Sequence, residues 1–253
     1  MNIPTPSFSV EVDVTNPGQF FACCGLLELA HRLCRNDQAE ARFQPGRFDV
    51  LTPGLEETAF SLIMDKLRKT TICTETDRGE RATHPVRLEE FALTLDWWLD
   101  PSGRNNRLKL WAGQQTSLKI VEVLRDAIAQ VDVASSRELF DMGSPLTGRF
   151  GVDPRAAWNA LDVGFSPNDQ QMEVLSFPAV ELLAAVGLQR FRPVKKQDGF
   201  YYATWETFLG VVTAQAAITG AVRAGSLQQY RFEIVDRGSY KGFGSSIPIG
   251  DSL

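Results

Sequence analysis

Residues 8–14 alternate, with Phe8, Val10, Val12 and Val14 on one face and Ser9, Glu11 and Asp13 on the other. That period predicts a half-buried strand. The period then changes: Asn16 can cap and Pro17 can open a helix carrying Phe20, Phe21, Ala22, Cys23, Cys24, Leu26, Leu27 and Leu29. A second stretch repeats the design, with Ser176 as the capping residue, Pro178 early, and an apolar run from Ala179 to Leu188. Each run holds one interior glycine, Gly25 or Gly187, at a helical cost of ~0.5–1 kcal/mol relative to alanine. Close packing is a reason to keep such residues. Both helices are too apolar for a solvated surface and are expected to lie in the core.

The remaining pattern is more ordinary. Residues 42–51 read as a short strand segment around the Pro45-Gly46 turn. Thr52, Pro53, Glu56 and Glu57 predict a helix start, and Leu55, Ala59, Leu62, Ile63 and Leu67 form its stripe. Lys66, Arg68 and Lys69 close it, complementing the helix dipole. Residues 74–87 are polar and read as an exposed loop, followed by an apolar alternation through Phe91, Leu93, Leu95, Trp97 and Leu99. Its expected hairpin partner is 107–111, across a turn at 101–106. A helix through Leu118, Val121, Leu124, Ile128 and Val131 follows, then an irregular segment at 144–171. After the second glycine-bearing helix come a strand near 200–205, a helix near 207–222 and a strand through Tyr230, Phe232 and Ile234. The predicted fold is α+β: a mixed, mainly antiparallel sheet with packed apolar helices. The expected organisation is one domain over 1–253 with a candidate seam near 132–148. The repeated helix leaves open an origin in two related halves.

Composition narrows the class. With 253 residues, 43% of them hydrophobic and 23% charged, the chain suits a soluble globular protein. The N-terminus lacks the basic and apolar regions of a secretory signal, and a cytoplasmic location is expected. The four cysteines and two histidines show no metal-binding spacing, so Cys23, Cys24 and Cys34 read as buried apolar thiols. Net charge is −5, all of it before residue 146, since ten basic and ten acidic residues balance over 146–253. That argues against a protein that coats nucleic acid unaided.

Local chemistry is richer than the total charge suggests. Arg190, Arg192, Lys195 and Lys196 fall in one stretch around Phe191, a candidate contact for a phosphate backbone that also serves as a cationic helix end. The glycine-rich end supplies Arg237, Lys241 and the aromatics Tyr240 and Phe243, candidates for phosphate contact and base stacking. Gln114 and Gln115 offer side-chain amides to a base edge, or cap the following helix. Asp153 and Asp162 form a candidate acid pair, against the simpler reading that Asp153-Pro154 opens a helix and pairs with Arg149 or Arg155. His31, one turn after Glu28, is the remaining candidate for acid–base work. No hydrolase, zinc-protease, deaminase or dinucleotide motif is present.

Several blocks together resemble a family of small CRISPR-associated proteins of the type I subtype once called I-U and now I-G. They are Asn16-Pro17-Gly18-Gln19-Phe20-Phe21 and its continuation to residue 30, residues 110–115, residues 150–167, residues 176–193 and residues 237–243. The blocks reach most of the chain. The resemblance implies a non-catalytic subunit or accessory of an RNA-guided DNA interference complex. The strand followed by a proline-headed helix is also similar to the start of the subtype's large subunit. Its implied partners are the other effector subunits, guide RNA and target DNA, without a membrane, a small-molecule substrate or a cofactor. In such systems base pairing reads sequence while protein reads shape, backbone and a short flanking motif. Two other readings stand beside it: a protein-docking subunit without nucleic-acid contact, and a metal-dependent nuclease using Asp153 or Asp162.

Overall fold

Two helices, α1 (Pro17–Leu33) and α4 (Pro178–Arg190), cross at the centre of the molecule. In the computed structural model, residues 4–34, 38–74, 83–111, 115–130, 135–156, 174–222, 228–237 and 240–250 are described. Residues 17–30 of α1 and 178–188 of α4 are all buried, as their apolar sequences require. The glycines make the crossing possible, and they do so reciprocally. A Cβ on Gly25 would land on the carbonyl oxygen of Leu183, four residues before Gly187. One on Gly187 would land on the carbonyl oxygen of Phe21, four residues before Gly25. The backbones therefore touch where any other residue would hold them apart.

Asn16 caps α1 as its sequence predicts, its Oδ1 accepting from the Gln19 amide at 3.1 Å. The second helix differs. Its N-cap position is Phe177, which makes no side-chain cap bond, and Ser176 lies in a preceding strand. The expected capping role for Ser176 is therefore wrong; Pro178 at the first turn remains.

Each helix runs into an antiparallel hairpin. After α1 come β2 (Glu40–Gln44) and β3 (Arg47–Leu51), turning at Gly46 with φ of 70°. After α4 come β9 (Val194–Lys196) and β10 (Gly199–Ala203). In the first unit β1 (Phe8–Glu11), before the helix, pairs with β3. In the second, β12 (Gln229–Phe232), after the hairpin, pairs with β10. The finished sheets run β1-β3-β2-β11, where β11 is Leu209–Gly210, and β15-β12-β10-β9, where β15 is Ile247–Ile249. Every pairing is antiparallel, so the fold is α+β with packed helices.

The core runs between the two sheets through α1 and draws on segments before and after residues 132–148. Phe20 stacks on Phe43 of the first sheet and Tyr202 of the second, at centroid distances of 5.2 and 4.1 Å. Phe21 meets Tyr202, Phe232 and Phe243. Among the described residues no helix is long and apolar enough to cross a membrane. Cys23, Cys24 and Cys34 are buried, and burial pushes their thiols up.

Two expected elements differ. The helix anticipated from Thr52 begins later: Gly54 takes a φ of 84°, residues 56–58 form a 3-10 turn, and α2 spans Ala59–Lys69. The expected hairpin of 91–99 with 107–111 does not form. Only β6 (Leu93–Leu95) is strand, and it pairs with β5 (Val86–Leu88), itself beside β4 (Ile72–Thr74). Side chains replace the missing partner. Gln189 accepts from the Asp96 amide at 2.9 Å, and Asn106 Nδ2 donates to the Trp97 and Leu99 carbonyls. Trp97, Trp98, Trp111 and Phe150 gather as one aromatic cluster instead of alternating across a sheet. Helix α3 (Ser117–Gln130) forms as predicted and α5 (Val211–Ile218) is shorter than expected. The glycine-rich end is a hairpin, β13 (Ile234–Arg237) with β14 (Tyr240–Phe243), not a free loop.

Candidate functional site

The C-terminal ends of α1 and α4 meet beside a cleft of about 580 Å³. Each glycine is followed three residues later by an ionisable group, Glu28 on α1 and Arg190 on α4, and the crossing brings these two together. Arg190 Nε donates to Glu28 Oε2 at 2.5 Å, and Arg32 Nε, one helical turn on, donates to Oε1 at 2.7 Å. The Glu28 side chain is 1% exposed; those of Arg32 and Arg190 are 26% and 30% exposed. Burial pushes the Glu28 carboxyl up, but the hydrogen bonds and charges of Arg190 and Arg32 outweigh it and hold the group below the usual carboxylate range. The carboxylate thus fixes two guanidinium groups that still reach solvent.

Arg32 also ties the cleft wall. Its Nη1 donates to the carbonyls of Phe91 and Ala92 at 3.0 Å each. Ala92 sits in the left-handed region with φ of 47°, an uncommon conformation for a residue with a Cβ. Arg192, 46% exposed, lies 3.5 Å from Asp96, which Gln189 grips through both its amide nitrogen and its carboxylate. Leu93 and Thr94 of β6 and Gln215, Ile218 and Thr219 at the end of α5 complete the lining. Three guanidinium groups therefore line a cleft whose own carboxylate is buried beneath them.

The opposite end of the helix pair is closed. Glu181, six residues before Gly187 and wholly buried, accepts the amides of Phe150 and Gly151 on one oxygen and of Val152 and Asp153 on the other, at 2.9–3.2 Å. Burial pushes its carboxyl up, to about 7, against the pull of those amides and of the Arg149 charge. Asp153, also buried, accepts from Asn16 Nδ2 at 2.9 Å and pairs with Arg155 at 2.8 Å. The 150–153 loop thereby stitches the N-termini of both helices. Asp153 is engaged as a structural anion; Asp162, its expected partner, lies outside the described residues. Among the described residues no group of three or more His, Cys, Asp or Glu could hold a metal ion. Glu28, considered as an orienter of His31, has its oxygens committed to the two arginines.

The other predicted residues scatter. Lys195 and Lys196 occupy the edge strand β9, and alternation sends them to opposite faces: Lys195 reaches over Phe200 on the core side and Lys196 over Tyr201 on the outer side. Lys241 is exposed on β14, 3.9 Å from Asp236, at the closed end where its carbonyl approaches Gly151. Phe243, expected to stack on a base, is instead wholly buried against Phe21 and Phe232. Its place on an inward-facing position of the hairpin excludes that role. Arg237 and Tyr240 face each other as the last pair of the β13–β14 ladder, and their side chains lie outside the described set. Gln115 Nε2 donates to the Thr147 carbonyl at 2.8 Å, while the cap of α3 is Thr116, whose Oγ1 accepts from the Lys119 amide. Gln114 lies outside the described residues. Among the predicted residues whose side chains are described, only Arg190 and Arg192 therefore reach the cleft. Arg32 was legible as an i,i+4 partner of Glu28; Gln215 and Gln189 carried no local signal.

No protein-family model, curated protein or solved structure matches this chain.

Proposed function

We propose that this chain is a non-catalytic subunit or accessory of a type I CRISPR RNA-guided DNA interference complex in the cytoplasm, doing part of a large subunit's work. It contacts the guide ribonucleoprotein or the target DNA and performs no bond-breaking step. One observation carries the reading: Arg190 and Arg192, from the 176–193 block, converge with Arg32, two residues past the 16–30 block, on a single solvent-reaching cleft. Guanidinium groups held by a buried carboxylate are preset for phosphate oxygens.

The test is isolation of the tagged protein from cells carrying the whole locus, with identification of bound RNA and proteins. Recovery with guide RNA and the other effector subunits is expected. Recovery alone, with metal-dependent DNA cleavage by the purified chain, would overturn the reading.

A protein-docking subunit without nucleic-acid contact is the second reading. It is favoured by the acidic partners beside Arg190, Arg192 and Lys241. Charge reversal at the cleft, Arg192→Glu, separates the two: a target affinity of the complex unchanged across a salt series favours docking.

A further inference from the structure

We propose that the cleft between α1, α4, β6 and α5 seats the sugar–phosphate backbone of a single-stranded nucleic acid; this deepens the reading above and rests on it. Three features point to that ligand class. The first is charge that is oriented yet not consumed. Arg190 gives Nε and Nη2 to Glu28, and among the described residues its Nη1 has no partner; Arg192 is half exposed. The second is size. A volume of about 580 Å³ falls within the ~300–1,000 Å³ of sites that enclose a drug-sized ligand. It admits a sugar with its phosphate and a splayed base, but not a stacked base pair. The third is chemistry of the walls. The guanidinium planes can stack on bases, while Gln215, Thr94 and Thr219 supply sequence-tolerant polar contacts.

Gln215 makes the inference testable without disturbing the fold. It is exposed on α5, lines the cleft and has no part in the Glu28 cluster. The experiment measures anisotropy of a labelled oligothymidylate, longer than the ~4–16-nucleotide footprint of one binding module, with the full chain over a salt series. The matching duplex serves as competitor. Gln215→Lys is expected to tighten binding several-fold and Gln215→Glu to weaken it similarly. Arg192→Gln should weaken binding and reduce the slope of log K against log salt by about 0.7, one released counterion for a single strand. Lys241→Gln, at the closed end of the helix pair, should bind as wild type. Melting temperatures of all four variants should match the wild type.

Absence of oligothymidylate binding overturns the inference, as do equal competition by the duplex, indifference to both Gln215 substitutions, or a loss confined to Lys241→Gln. The two proposals fail separately. Recovery with guide-carrying particles but cleft-independent binding removes this inference alone; cleft-dependent binding by a chain that never joins such particles removes the subunit assignment alone.

Discussion

The two crossed helices each bury one carboxylate, and they neutralise it by opposite means. Glu181, near the start of α4, is enclosed by four backbone amides of the 150–153 loop. Glu28, near the end of α1, is held by two arginine side chains. Amides are fixed donors with no charge to spare, so their end of the pair is sealed. Arginines bring charge and length, so their end stays open and positively lined. The difference shows how one packing motif can supply both an anchor and a binding surface.

The strongest way to break the comparison is to separate the helices themselves. Gly25→Ala places a methyl group against the Leu183 carbonyl, and Gly187→Ala against that of Phe21. Each should cost about 3–5 kcal/mol in denaturant unfolding, beyond ordinary overpacking because backbone must move. Because both residues share one contact, the double variant should cost less than the sum of the two. A cost below about 1 kcal/mol for either single change, the lower edge of the overpacking range, would show that the crossing is loose.

Next in size is Glu181→Gln. Its amide nitrogen must face two backbone donors, leaving buried N–H groups unsatisfied, and a loss of about 2–3 kcal/mol is expected from equilibrium unfolding at about pH 4, where the contribution of Glu181 is present. Glu28→Gln should cost less, about 1–2 kcal/mol, since the two arginines are exposed enough to find water. Retention of full stability by Glu181→Gln would mean that the loop does not depend on the carboxylate.

The pH dependence sharpens the contrast, because the two groups shift in opposite directions. Glu181 is raised in the folded protein, so its contribution is fully present below its unfolded value of about 4.5 and is lost as pH rises toward about 7. Glu28 is lowered, so its contribution is present above about 4.5 and is lost as pH falls through its folded value. Unfolding free energies measured from pH 3 to 8 should therefore flatten at the neutral end in Glu181→Gln and at the acid end in Glu28→Gln. Parallel curves for wild type and both variants would refute the assignment. The smallest effect is expected on the sheet edge: Lys195→Gln and Lys196→Gln, on opposite faces of β9, should leave the melting temperature unchanged.

Much of this architecture was legible locally. The apolar runs around Gly25 and Gly187 announced buried helices, Asn16 and Pro17 announced a helix start, and the alternation at Phe8, Val10 and Val12 announced a strand. These signals depend on neighbours in the chain, through capping, backbone restriction and period. Where they misled, a distant group had supplied the backbone's hydrogen bonds or a glycine had turned the chain. The 91–99 segment stopped being strand after Leu95 because Gln189 and Asn106 took its amide and carbonyls. The helix expected at Thr52 was delayed by the left-handed Gly54.

The candidate site divides the same way. Sequence alone set the chemistry of its parts: a carboxylate and an arginine a turn apart on α1, and two arginines at the close of α4. Which of them would meet was decided only by the crossing, where Gly25 and Gly187 let two backbones touch and align Glu28 with Arg190 across 162 positions of chain. Periodicity likewise put Phe243 on one face of a strand, but only packing against Phe21 and Phe232 made that face the core. The physical reason is range: capping and period act over a few residues, whereas apolar burial and ion pairing act on whatever the folded chain brings into contact.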